Sequence, residues 1–129
     1  MVLVDTNVLI DALNGRGGRR EFLVGLVAQG HQLASCAITV AEIYAGMRPN
    51  EAGKTAAWLD SLEYLETGES IAKLGGELKY TWARKGHSLG LVDTLIAAVA
   101  LKHDCAVATD NVKDFPMPGL RLLQPPRPN

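Results

Sequence analysis

The sequence predicts an α/β domain: a three-layer sandwich in which a mostly parallel sheet of about five strands is flanked by helices. Three observations lead there. Short runs of apolar and β-branched residues alternate with longer stretches of helical apolar spacing, the mark of repeated strand and helix units. Of the 129 residues 47% are hydrophobic and only 5% aromatic, so alanine, leucine and valine must build the interior. Finally, LVDTLIAAVALKHD, Leu91 to Asp104, is apolar almost all the way round, as helices buried between other elements are.

Taken in order, Val2 to Val4 suits a buried strand, and Asp5, Thr6 and Asn7 offer capping oxygens for a helix running to Leu13. Asn14, Gly15, Gly17 and Gly18 break that helix. Glu21 to Ala28 places Phe22, Leu23, Leu26 and Val27 at helical spacing, and Gly30 ends it. Gln32 to Cys36 reads as the second strand. Thr39 followed by Glu42 matches a capping box, which starts a helix at Thr39 that stops near Pro49. Glu51 to Leu62 carries Ala52, Thr55, Ala56 and Leu59 along one side, and Glu63 to Leu65 follows as a short strand. Ser70 to Arg84 is amphipathic despite Gly75 and Gly76 and closes in the turn-like KGHSLG. A helix over Leu91 to Lys102 precedes a strand from Cys105 to Ala108, and Leu120 to Leu123 forms the last strand. Gln124 onward, QPPRPN, is expected to be a loose tail. No repeat or linker divides the chain, so residues 1–129 are expected to form a single domain.

Composition narrows the function. A net charge of −1 gives no general affinity for polyanions, so RNA contact would need local clusters such as Arg16, Arg19 and Arg20, or Arg84, Lys85 and His87. Both clusters read more readily as ordinary solvated faces. Cys36 and Cys105 lie in apolar runs without C-x-x-C spacing, which supports neither a zinc site nor a disulfide framework. The apolar start, MVLVDTNVLIDAL, is interrupted by Asp5, Asn7 and Asp11, so no signal peptide or membrane span is expected and the cytoplasm is the default. No glycine-rich phosphate loop follows a strand, and the serines and histidines suggest no nucleophilic triad.

Four acids are expected to meet. Asp5 directly follows the first strand and Asp110 the strand ending CAVAT, at the carboxyl edge where parallel sheets bind ligands. Glu42 is expected in the first turn of the helix after the second strand, and Asp93 opens the helix before the Cys105 strand, which puts both at that edge too. Each alone has a structural reading: a cap for Asp5, the capping box for Glu42, a turn for Asp110. Asp93 resists, since it shares a helical stripe with Ala97 and Ala100 and a helix dipole contributes only about 1 kcal/mol against burial of a charge. Two carboxylates about 5 Å apart repel by roughly 3 kcal/mol at an effective dielectric near 20. A hard divalent cation such as Mg²⁺ would relieve that repulsion and could activate water for attack on phosphorus.

VDTNVLID, TVAEIYAG, LVDTLIAAVA and TDNVKDF, in this order and over nearly the whole chain, resemble PIN-domain ribonucleases, particularly VapC-type toxins of bacterial toxin/antitoxin pairs. The resemblance implies an endoribonuclease dependent on Mg²⁺ or Mn²⁺, with Asp5, Glu42 and Asp93 as its acids. Asp110 is the expected fourth, with Asn111 and Asp114 as alternatives, and Thr6 and Thr109 as hydroxyl neighbours. It also implies RNA as substrate, a homodimer, and an antitoxin whose carboxy-terminal segment covers the pocket. Two other readings remain open: a non-catalytic module of the same shape, and phosphoryl transfer through an aspartyl nucleophile, for which Asn7 stands where a second acid is usual.

Overall fold

The computed structural model describes residues 1–127. In chain order the elements are β1 (Val2–Val4), α1 (Thr6–Leu13), α2 (Arg19–Ala28), β2 (Leu33–Cys36), α3 (Ala37–Gly46), α4 (Ala52–Asp60), β3 (Glu63–Leu65), α5 (Glu69–Arg84), α6 (Leu91–His103), β4 (Ala106–Ala108) and β5 (Leu122–Leu123). Short 3₁₀ turns cover Pro49–Glu51 and Val112–Asp114. The strands form one sheet in the order β3-β2-β1-β4-β5, every pair parallel, with Leu3 opposite Ala34 on one side and Val107 on the other.

Strand alternation sorts the core into two layers. Leu3, Ala34, Cys36, Leu65 and Val107 point to one face and pack with Ile71 of α5 and the Ile96 to Ala100 run of α6. Val2, Val4, Ala106 and Ala108 point to the other, against Val8, Leu9 and Ala12 of α1, Leu23 and Leu26 of α2, and Ile43 of α3. Two-residue periodicity in the strands and helical periodicity outside them therefore yield the expected sandwich.

Helix α6 is buried from Ile96 to Ala100, each residue 0% exposed. Helix α5 packs closely against it, and Gly75 of α5 is a point where the two touch: a Cβ there would lie 2.6 Å from Leu95 Cδ2 and 3.2 Å from its Cα. Gly75 thus weakens α5 locally but permits its packing. Asp104 ends α6 at φ 54, a left-handed conformation that aspartate tolerates better than most residues.

Several boundaries differ from expectation. Helix α2 begins at Arg19, α3 at Ala37 and α4 at Ala52, while β5 contains only Leu122 and Leu123. Cys105 lies just outside β4 because its N–H closes back on the Ala100 carbonyl at 2.8 Å. The tail is held in part: Pro125 is buried and the Pro126 carbonyl accepts from Arg19. Residues 128 and 129 of the expected loose tail lie outside the described residues. Among those described, no helix is long and apolar enough to cross a membrane.

Candidate active site

Parallel strands deliver their carboxyl ends to one edge, and the acids collect there. Asp5 leaves β1 with its N–H on the Ala108 carbonyl at 2.9 Å. One carboxylate oxygen caps α1 by accepting from Thr6 N–H at 2.8 Å, and the other accepts from Thr109 Oγ1 at 2.8 Å. The capping role and the site role therefore coexist in one side chain. Burial raises the Asp5 pKa above the ordinary aspartate value, the bonds from Thr109 and Thr6 oppose that rise, and the charges of Glu42 and Asp110 add to it.

Glu42 arrives differently from expectation. Helix α3 starts directly after β2, with Cys36 at the N-cap and no side-chain cap, so the expected capping box does not form. Thr39 is already inside the helix and fully buried, its hydroxyl 3.5 Å from that of Thr6. Glu42 consequently sits beyond the first turn, where its Oε1 accepts from Thr6 Oγ1 at 2.6 Å. A buried hydroxyl pair on facing helices has replaced the local cap.

Asp93 lies in the first turn of α6, with no ion-pair partner among the described residues. Its carboxylate leans toward Gly90, where a Cβ would stand 3.5 Å from Oδ2. Its pKa is pushed up to about 6, first by burial, then by the charges of Asp5, Asp114 and Glu42. Asp93 thus feels the charges of Asp5, Asp114 and Glu42, and Asp5 those of Glu42 and Asp110. Asp110 is oriented otherwise: both of its oxygens accept from Arg19, at 3.2 and 2.5 Å. Asn111 contributes its backbone N–H to Thr109 Oγ1 at 3.0 Å.

The donor set suits a hard cation that retains water. Every side chain gathered here offers oxygen, and Mg²⁺ commonly uses one or two carboxylates directly. Among the described residues, no three acid, thiol or imidazole groups lie close enough to enclose an ion by themselves. An ion touching one or two of them, with water between it and the rest, fits.

One arginine was misread from sequence. Arg19 is buried beside Asp110, whereas Arg16 and Arg20 are both exposed, Arg20 donating to the Ala12 and Leu13 carbonyls at the end of α1. A signal was present, because Arg19, Leu23 and Leu26 share one helical stripe and the two leucines are core. Of the second cluster, Lys85 lies over the Trp82 ring at 4.6 Å and Arg84 over Tyr80 at 5.6 Å, both cations exposed.

The raised acids set a pH dependence. A carboxyl whose pKa is higher in the folded than in the unfolded chain binds more protons when folded, so stability falls as pH rises between the two values. For Asp93 that interval runs from 3.8 to about 6. The metal-free protein is expected to melt at lower temperature at pH 6.5 than at pH 4.5, with the difference reduced in Asp93→Asn. Identical pH profiles for the two proteins would refute the coupling.

Residues 2–116 match the PIN domain family. The chain belongs to that family. Relatives of this PIN domain include Ribonuclease VapC10 of Mycobacterium tuberculosis, 37% identical over 98% of this chain and 92% of the relative. Ribonuclease VapC19 of the same organism is 32% identical over 98% and 99%. Among solved structures, VapBC2 from Rickettsia felis, bound to a DNA fragment from its promoter, superposes with a TM-score of 0.82 at 26% identity, covering 96% of this PIN domain and 98% of that chain. A toxin-antitoxin complex from Klebsiella pneumoniae gives 0.79 at 30% identity, over 98% and 99%.

Proposed function

We propose that this PIN domain is a metal-dependent endoribonuclease, the toxin of a toxin/antitoxin pair, with Asp5 and Asp93 as the carboxylates that bind Mg²⁺ or Mn²⁺. The observation that carries the reading is Asp93: a half-buried acid without a cationic partner among the described residues, its pKa raised by burial and by the charges of Asp5, Asp114 and Glu42. A bound ion would offset that repulsion, make a coordinated water more acidic and stabilise charge on a phosphodiester.

The chain's own residues would orient the reaction. Thr109 and the Thr6 N–H fix both Asp5 oxygens, and the Thr6 hydroxyl fixes Glu42, so neither carboxylate needs to reorganise when substrate arrives. In this reading Glu42 and Asp114 would accept hydrogen bonds from water, with Asp114 taking the role first expected of Asp110. Ribonuclease relatives spanning the full chain support RNA as the substrate. The likeness to toxin-antitoxin complexes supports a cognate antitoxin. So does an open groove of about 900 Å³ lined by Leu23, Val24, Val27, Trp58 and Leu62, an apolar surface that a partner segment would cover. Assembly as a homodimer belongs to the same reading.

The purified protein is expected to cut single-stranded RNA with Mg²⁺ or Mn²⁺ and to stop when a chelator is added. Metal should also raise the melting temperature, because an ion that binds only the folded state stabilises it. Cleavage that continues undiminished in chelator would sink the proposal. Metal-dependent stabilisation without cleavage of any RNA would favour the non-catalytic module instead.

A further inference from the structure

Arg19 is 8% exposed, although it opens a surface helix. Its guanidinium donates from Nε and Nη2 to the two oxygens of Asp110, and from Nη1 to the carbonyls of Gly17 at 2.6 Å and Pro126 at 3.2 Å. One side chain thereby joins the loop after α1, the segment after β4 and the carboxy-terminal segment. The middle of these matters most for the site. It contains Thr109, which holds Asp5, and it continues through the Asn111 N–H to Thr109 bond into the turn ending at Asp114. The Thr109 N–H is tied to the Leu123 carbonyl at 3.0 Å, but residues 110 and 111 lie in no regular element, and there the Arg19 fork is the side-chain anchor.

We propose that Arg19 is a positioning residue for the ion site: by neutralising and clamping Asp110 it fixes the segment after β4, in which Thr109 holds Asp5, while Asp110 stays outside the ion's coordination shell. The inference rests on the reading that Asp5 and Asp93 hold a cation. Two features favour it over an incidental salt bridge. The pair is bidentate and largely withdrawn from water, with side chains 10% and 27% exposed, so removing one partner strands the other in a poorly solvated place. The fork geometry is also specific to arginine, because lysine preserves the charge but not two parallel bonds. Asp110 therefore differs from Asp93 in kind: one acid has its cation within the chain, and the other has none among the described residues.

The experiment compares Arg19→Lys, Arg19→Gln, Asp110→Asn and Asp93→Asn with the unaltered protein. Metal-free melting, Mn²⁺ affinity by calorimetry, and kcat and KM for RNA are measured on each. Without metal, Asp110→Asn is expected to lower the melting temperature and Asp93→Asn to raise it. Asp110→Asn should weaken Mn²⁺ binding by no more than about 10- to 100-fold, the scale for residues that support a ligand, and Asp93→Asn, which removes a ligand, by more. Arg19→Lys should lower kcat with KM nearly unchanged and recover part of what Arg19→Gln loses. Should Arg19→Gln fail to fold, the lysine and Asp110→Asn proteins carry the comparison. The proposal is overturned if Asp110→Asn weakens Mn²⁺ binding as much as Asp93→Asn does, or raises the metal-free melting temperature as that substitution does. Absence of Mn²⁺ binding by the unaltered protein would sink the ion reading instead. The signs of the two melting shifts would still decide whether Asp110 belongs with Arg19 or with the acid cluster.

Discussion

Asp93→Asn is expected to lower RNA cleavage by about 10²- to 10³-fold while making the metal-free protein more stable. The two effects share one cause. An ion at a phosphoryl centre supplies several kcal/mol of charge stabilisation, and losing about 3 to 4 kcal/mol of it corresponds to that loss of rate. Asparagine matches the size of aspartate but binds a hard cation weakly and bears no charge. In the unliganded protein, the same substitution removes an acid that burial and three neighbouring carboxylates already push up to about 6. At neutral pH the folded chain is then spared a repulsion it otherwise carries. Cleavage assays with Mn²⁺, beside melting curves in chelator, read both signs on one preparation. Cleavage equal to that of the unaltered protein would remove Asp93 from the reaction, and a lowered melting temperature would remove it from a repelling cluster.

Ile96→Ala is expected to destabilise the fold by about 2 to 5 kcal/mol, the range for truncating a large aliphatic side chain in a core. For a domain of this size that is a fall of about 10 to 20 °C in Tm. Ile96 is 0% exposed and packs in the layer between the sheet and the α5–α6 pair. Close packing beside Gly75 leaves α6 little room to collapse into the cavity, which places the effect toward the upper part of the range. Val24→Ala on α2 is the comparison: that valine is 63% exposed, and its truncation should shift Tm by a degree or two at most. A similarly small shift for Ile96→Ala would mean that α6 is not clamped as described. Because α6 also presents Asp93, a loosened helix should reduce cleavage by more than the loss of folded protein accounts for.

What the chain reveals by itself is whatever depends on neighbours in sequence. The strands at Val2–Val4 and Glu63–Leu65, and the helix opening at Leu91, are legible because apolar periodicity and turn residues act over a few positions. Asp5 and Asp93 are legible for a related reason, since an acid at the end of a parallel strand, or at the start of a helix apolar on every side, has its location set by its own element. Partners are another matter. Thr39 and Glu42 satisfy a local capping pattern, yet the Thr6 hydroxyl, 36 positions from Glu42, captures the carboxylate instead. Arg19 and Asp110 stand 91 positions apart, and nothing near either residue states that each neutralises the other. Tertiary structure decides such pairings because a buried charge is stabilised by whatever opposite charge the packing of distant elements brings within about 3 Å, a distance that sequence spacing does not encode.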